Sequence, residues 1–336
     1  MTSARQSAPL VTIVMYHFVR PVATSRFPQL AGLELSAFRE QLRYVNRHYS
    51  PIRLRDVVAA AEGTDTLPAR PIVLTFDDGY RDHYTHVFPL LAAHRIPGAF
   101  FPVRSALVDR SVLDVNKVQF ILAAVNDVEP LIGEIDAAIE ACRDPALRSA
   151  AEYHATWRVA SRFDGPDVVY VKRMLQHVLP DVLRRPLVDE WFRRFVSVDE
   201  AAFAADLYLT IAQAREMHAE GMEFGGHADR HVPLTALGPE QRAKEIDGAL
   251  RALDAVGVPR VRFAFSYVKG EHDAASVALL RERGCSVAVT SRVDLARPVR
   301  SDLLTLPRID ANDLPVDGDA RPNSWTERAI AGPQSQ

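Results

Sequence analysis

Hydrophobic positions along the first hundred residues follow two alternating periods. Three short apolar runs, at Leu10–Tyr16, Pro71–Phe76 and Pro97–Val103, are each bounded by polar or turn-forming residues. Continuous apolar runs of this length are typical of strands buried on both faces. Between them lie stretches with apolar residues at steps of three and four, which predicts helices over 36–45, 54–61 and 82–94. Strands that alternate with helices predict parallel β–α units joined by right-handed crossovers.

The middle of the chain follows only the helical period. Apolar residues at steps of three and four, punctuated by prolines, predict helices over 113–125, 131–141, 146–159, 168–178 and 187–196. We interpret this stretch as a helical insertion, of the kind that arises in loops at the functional end of barrels. Its apolar faces could form a lid or a homodimer interface, or pack only on one another.

The alternation of helices and strands then resumes. Helices are expected over 211–220, 239–256 and 273–283, and strands over 221–224, 261–267, 286–290 and 303–309. The predicted organisation is an α/β scaffold at 8–104 and 205–318, the insertion at 105–204, and an irregular tail at 319–336 that frays at its end.

Composition and charge narrow the class of protein. The chain has 336 residues, 48% of them hydrophobic and 25% charged, as in ordinary globular proteins. A net charge of −3 gives no electrostatic case for binding nucleic acid or an anionic membrane. Two distant cysteines, Cys142 and Cys285, do not make a disulfide framework. No apolar run approaches the roughly 20 residues of a membrane span, and the first run is too short for a signal peptide, so we expect a cytoplasmic protein.

Two adjacent carboxylates follow the second apolar run. Asp77 and Asp78 come directly after Phe76, and Gly79 then permits a sharp turn. They should lie at the C-terminal end of a core strand, where α/β folds keep their active sites. Two half-buried carboxylates side by side repel one another, which raises the pKa of one of them. A bound cation removes much of the free-energy cost of this repulsion. An ordinary turn also uses Asp and Gly, so the pair alone leaves both interpretations open.

Two histidines follow a later strand. His227 and His231 come after a glycine pair and should reach the same face as the aspartates. One aspartate and two histidines are a complete protein ligand set for a catalytic zinc, with one position open for water. A pair of surface histidines after a turn is the alternative. His83 and His86, by contrast, are interpreted as solvated helix residues.

The two motifs together resemble a known family. Thr75-Phe-Asp-Asp-Gly-Tyr80, followed by His227-x-x-x-His231, is similar to the polysaccharide deacetylases, also called carbohydrate esterase family 4 or the chitooligosaccharide deacetylase homology domain. Other segments resemble that family's strands in the expected order, at Met15–His17, Phe100–Val103, Phe263–Tyr267, Gly284–Thr290 and Leu306–Ile309. The resemblance covers about 10–103 and 208–310 and leaves out the helical insertion. It implies an irregular (β/α)7 barrel.

The resemblance also implies a reaction and its residues. Asp78, His227 and His231 would hold a divalent metal, with Zn²⁺ the first choice, and Asp77 would be the general base for an attacking water. The metal and a backbone N–H, assigned to Tyr267, would stabilise the oxyanion. The implied substrate carries an N-acyl amino sugar and is free, nucleotide-linked or lipid-linked.

The chain departs from the family pattern at three places. Ala228 stands where the family prefers Ser or Thr, and Ser266 replaces the usual proline. No histidine follows His272, so the late Leu-x-His motif that supplies the general acid is missing. Arg308 lies near that position but is an implausible proton donor. His17, at the end of the first strand, is the best substitute acid, although it could merely orient the base.

Three functions remain open at this stage. The first is a metal-dependent amide hydrolase that removes an N-acetyl group from an amino sugar. The second applies the same chemistry to an N-formyl group or a cyclic imide, which the altered segment 266–272 would fit. The third is a non-catalytic binding module, against which the retained ligand residues and base count.

Overall fold

The computed structural model describes residues 9–332. The predicted start of the scaffold at residue 8 and the predicted frayed end at 333–336 lie outside these residues. The strands are β1 (Thr12–Tyr16), β2 (Val19–Arg20), β3 (Leu33–Glu34), β4 (Ser50–Pro51), β5 (Pro71–Asp78), β6 (Gly98–Pro102), β7 (Glu223–Phe224), β8 (Ala264–Ser266), β9 (Val287–Val289) and β10 (Ile309–Asp310).

The described residues also form fourteen α-helices. They are α1 (Leu35–His48), α2 (Leu54–Glu62), α3 (Phe88–His94), α4 (Arg104–Leu107), α5 (Asp114–Ala124), α6 (Glu129–Ala141), α7 (Ala150–Trp157), α8 (Pro166–Arg173), α9 (Asp181–Trp191), α10 (Glu200–Leu207), α11 (Ile211–Ala219), α12 (Pro239–Val256), α13 (Ala274–Glu282) and α14 (Ser324–Ala331). No helix among the described residues is long and apolar enough to cross a bilayer.

A parallel sheet organises the fold. Its strands run in the order β10-β1-β5-β6-β7, with β4 also paired to β5. β8 and β9 form a second parallel pair. Single parallel bridges join Gly226 to Phe265 and Val289 to Leu306. The predicted parallel α/β architecture is therefore confirmed.

β5 is the longest of the described strands in this sheet, and all eight of its residues are buried. Its side chains alternate between two apolar clusters: Leu74 and Phe76 belong to one and Val73 to the other. Because side chains of a strand alternate with a period of two, Thr75 and Asp77 share the face of Val73. β5 pairs with β1 and β6 on its two sides, so Asp77 and Asp78 emerge between neighbouring strand ends.

The chain forms two compact units. The first comprises the described residues up to Pro21, Gly32–Ser111 and those from Ala204 onward. The second comprises Val22–Ala31 and Val112–Phe203, and it contains α5 to α9. The sequence predicts residues 22–31 as part of the scaffold. In the structure Phe27 packs within the second unit, where its ring makes edge-to-face contacts with the rings of Phe120 and Phe203.

The prediction of an irregular tail from residue 319 is wrong for residues 324–331. Ser324–Ala331 is a helix, and the side chain of Asn323 caps it by accepting from the N–H of Thr326. The Thr326 hydroxyl is buried and hydrogen-bonds to the hydroxyls of Tyr44 and Tyr49. A short helix gains its stability from such tertiary contacts rather than from its own sequence, so periodicity did not reveal it.

Candidate functional site

Three side chains from two strand ends converge on one point. Asp78 ends β5, while His227 and His231 follow β7. One ligand atom from each of these residues lies within 4.8 Å of the other two. The structure thus brings together the three residues that the sequence predicted as metal ligands.

The spacing of these atoms suits a tetrahedral ion. Oδ1 of Asp78 lies 3.3 Å from Nε2 of His231 and 3.5 Å from Nε2 of His227. Bonds of about 2.0–2.1 Å to a tetrahedral zinc place its ligand atoms roughly 3.3–3.4 Å apart. This Oδ1 is buried and accepts no hydrogen bond within the described part of the chain. A buried carboxylate oxygen without a donor is costly, and a cation would satisfy it, so these residues fit a bound divalent metal.

Neighbouring groups orient the ligand atoms. Nδ1 of His227 donates to the carbonyl of Ser266 at 2.7 Å, which leaves the lone pair on Nε2 facing Asp78. The hydroxyl of Tyr80 donates to Oδ2 of Asp78 at 2.5 Å, so Oδ1 remains for a cation. Three residues of the site, namely Asp78, Ala228 and His231, have left-handed backbone with φ values of 69°, 64° and 61°. Strained backbone of this kind persists where the surrounding structure enforces it, often at functional sites.

Burial and mutual charge set the ionisation of the three groups. Burial opposes the charge on Asp78, but the neighbouring His231 and His227 outweigh it and hold the pKa of the carboxyl well below its ordinary value. Burial also opposes protonation of His227, yet the two aspartates raise its pKa. For His231 burial prevails, and its pKa is lowered. The site therefore combines an ionised carboxylate with an imidazole that favours its neutral, metal-binding form.

The buried side chain of Arg308 holds Asp77, the residue before Asp78. Arg308 donates from Nη1 to Oδ1 of Asp77 at 3.0 Å and from Nη2 to Oδ2 at 2.7 Å. Its remaining donors reach Thr75, Ser266 and the carbonyl of Thr290. Burial alone would raise the pKa of Asp77, but the guanidinium outweighs this effect and lowers the pKa to about 2. Asp77 is thus ionised and fixed in orientation at ordinary pH.

The sequence did not predict this contact. Arg308 is implausible as a proton donor, and the motifs of the sequence indicate no other role for it. A signal was available, because a lone arginine in the apolar run 303–309 needs a buried partner of opposite charge. Ser266, the residue that replaces the family's proline, also reaches the site and donates to Oδ2 of Asp77 at 3.2 Å.

His17 is half-buried and follows Tyr16, the residue of β1 that pairs with Phe76, so it lies at the same end of the sheet as Asp77 and Asp78. Its backbone carbonyl accepts from Nε2 of His83 at 2.9 Å. The interpretation of His83 as solvated is wrong, since the residue is fully buried. It lies in a π-helical turn, His83–Val87, whose wider spacing changes which positions face the core.

The oxyanion role assigned to Tyr267 needs correction. Its backbone N–H donates to the carbonyl of Val289 at 3.1 Å, because the ladder between β8 and β9 continues one residue past Ser266. The phenol ring is buried against Phe265. This N–H is therefore engaged within the sheet and does not point to a reacting carbonyl.

Gly79 gives a test of how tightly the end of β5 is packed. The residue has a φ of +76°, and a Cβ there would lie 2.6 Å from Cβ of Pro102. We expect Gly79→Ala to lower the free energy of unfolding by about 2–4 kcal/mol, through left-handed strain and overpacking. Gly63→Ala is the matched control, because Gly63 has the same φ with nothing within 4 Å. Equal losses for the two variants in urea unfolding would exclude the packing contribution.

Comparison with known families finds one family model that matches the segments carrying this site. The family model described as polysaccharide deacetylase matches residues 64–127 and 197–288. Both matched segments carry site residues, and the interval between them lies within the helical part of the chain. These segments are similar to the polysaccharide deacetylase family, which confirms the resemblance that the motifs of the chain indicated.

Individual relatives share either a segment or the fold. A poly-beta-1,6-N-acetyl-D-glucosamine N-deacetylase of Escherichia coli K12 is 36% identical over 93 residues, which are 27% of this chain and only 14% of that protein. The deacetylase PplD of Streptococcus pyogenes, solved in complex with acetate, has 16% identity and a TM-score of 0.54, with 98% of this chain and 100% of that chain covered. IcaB from Ammonifex degensii has 16% identity and a TM-score of 0.53, covering 96% and 98%. At these identities the solved structures show a shared fold.

Proposed function

We propose that the protein is a metal-dependent N-deacetylase of glycans that contain N-acetylglucosamine. The observation that carries this proposal is the convergence of Asp78, His227 and His231 beside the Asp77–Arg308 pair. The segment shared with a poly-β-1,6-N-acetylglucosamine deacetylase supports an N-acetylglucosamine polymer or oligomer as the substrate. The two single bridges at Gly226 and Val289 support closure of the sheet into the irregular (β/α)7 barrel.

Each residue has a part in this reaction. A divalent ion such as Zn²⁺, when bound, supplies a Lewis acid that polarises the amide carbonyl and acidifies water. Asp77 accepts the proton of the attacking water. It suits this role because it is ionised and lies next to Asp78 in the chain. Arg308 and Ser266 keep its carboxylate from rotating: Oδ2 accepts from both of them, and Oδ1 accepts only from Arg308, so Oδ1 keeps a lone pair for the proton. Its low pKa makes it a weak base, so orientation contributes more to its role than basicity does.

The proton for the leaving amine is assigned to His17. If His17 is the general acid, His17→Ala should keep its metal and lose kcat by about 10²–10⁴-fold. Metal content and kcat are measured on the same sample. His94→Ala, at an exposed position on α3, is the control and should turn over normally. Normal turnover by the His17 variant would remove it from the mechanism.

The proposed function is tested with defined sugars. The purified protein is loaded with Zn²⁺ and incubated with β-1,6-linked N-acetylglucosamine oligosaccharides and their N-formyl analogues. Mass spectrometry should show loss of acetyl groups, and the reaction should stop in a chelator. Turnover of the formyl analogues alone would favour the deformylase alternative, and turnover in chelator would contradict metal dependence.

A further inference from the structure

A buried carboxylate from α12 contacts the backbone between the two histidines. We name residues 227–231 the histidine loop. Oε2 of Glu245 accepts from the N–H groups of Asp229 and Arg230, each at 2.9 Å. Oε1 accepts from Nε of Arg230, also at 2.9 Å. Glu245 has no exposed surface.

The histidine loop needs such external contacts to keep its shape. Ala228 and His231 both have left-handed backbone, which non-glycine residues adopt only under constraint. Ala228 offers no side-chain acceptor to the N–H groups that follow it. On the other side, the carbonyl of Asp229 accepts from the N–H of Ser105 at 2.9 Å. Glu245 therefore fixes the N–H groups of the loop while the start of α4 fixes its carbonyl.

We propose that Glu245 is a positioning residue for the metal site. By holding Asp229 and Arg230, it sets the separation and direction of the imidazoles of His227 and His231, and so tightens metal binding without touching the metal. This inference rests on the proposed function, because it requires that the two histidines bind a metal. Groups that orient metal ligands from outside typically change metal affinity by about 10–100-fold when replaced.

A purely structural role is the competing explanation. Glu245 lies on the buried face of α12, next to Ile246, and could merely anchor that helix. Such an anchor would affect thermal stability and leave the affinity for metal unchanged. The two roles therefore differ in a measurement made well below the melting temperature.

The experiment measures two quantities on four proteins, each with the whole chain. The first is the dissociation constant for Zn²⁺, obtained by competition with a chromophoric chelator, and the second is the Tm. The four proteins are the wild type, Glu245→Gln, Glu245→Asp and Arg230→Met. Gln removes the charge at constant size, and Asp keeps the charge but shortens the reach. We expect the constant to rise about 10–100-fold in Glu245→Gln and to rise also in Glu245→Asp. Arg230→Met removes the half-exposed guanidinium and keeps both N–H groups, so its constant should stay within about fivefold of the wild type.

Three results would overturn the inference. The first is an unchanged constant in both Glu245 variants alongside a lowered Tm. The second is an equal loss of affinity in Arg230→Met, because the effect would then come from the guanidinium. The third comes from amide hydrogen exchange in the metal-free wild type, which needs no variant. We expect the N–H groups of Asp229 and Arg230 to be protected, and exchange as fast as in an unfolded chain would overturn the inference. Failure of the wild type to bind Zn²⁺ would instead contradict the proposed function.

Discussion

Asp78→Ala is expected to lose stoichiometric Zn²⁺ and more than about 100-fold of kcat/KM. In the proposed metal site the carboxylate would be the negative ligand beside two imidazoles, and its Oδ1 lies within 3.5 Å of Nε2 of both histidines. Losing a group that merely orients a ligand costs about 10–100-fold, so losing the ligand itself should exceed that range. Metal content after dialysis and kcat/KM are measured on the same preparation.

Two further variants make this result specific. Asp78→Asn preserves the size of the side chain and removes its charge, so it separates loss of the anion from loss of packing. Asp65→Ala, at an exposed position, should keep both metal and activity. Full metal content in Asp78→Ala would show that Asp78 is not a ligand, and a wild type without stoichiometric metal would favour a binding module.

Arg308→Met should be the most destabilising change at the site. It removes the guanidinium that pairs with Asp77 at 2.7 Å and leaves a fully buried carboxylate without a counter-charge. Breaking a buried ion pair in this way typically costs about 3–5 kcal/mol. Urea unfolding with a chelator in every sample gives this value without a contribution from bound metal.

A double variant separates the pair from its surroundings. Arg308→Met combined with Asp77→Asn removes both charges, and we expect it to regain much of the lost stability while remaining inactive. A loss below about 1 kcal/mol in the single variant would show that water already reaches the pair.

The same pair predicts how stability changes in acid. The pKa of Asp77 is lowered to about 2 in the folded protein, against roughly 3.9 in an unfolded chain. The stabilisation from its ionised form is therefore complete above the unfolded value and is lost as the pH falls towards 2.

The convergence of Asp78, His227 and His231 could be predicted from the sequence because local signals place these residues. An apolar run followed by Asp77 and Asp78, and a glycine pair followed by His227, each mark the end of a strand. Parallel strands bring such ends to one edge, so the two motifs meet without knowledge of the rest of the fold. The roles assigned to these residues remain predictions.

The remaining contacts of the site depend on tertiary structure. Glu245 reaches the histidine loop from a helix whose periodicity gives no hint of that contact, and Arg308 finds Asp77 across 231 positions of sequence. Tyr267 was assigned the oxyanion contact by analogy, but strand pairing with Val289 decides where its N–H points. Periodicity shows which residues form an element and does not show which partners the element meets.

The position of β1 in the sheet has a consequence for synthesis of the protein on the ribosome. Met15 pairs on one side with Thr75 and on the other with Asp310. At roughly 5–20 residues per second, the second partner emerges on the order of tens of seconds after the first. During that interval one edge of β1 is unpaired, and an open strand edge is a site for association with other chains. The edge of β1 that pairs with β10 therefore stays open to such association until β10 has been translated.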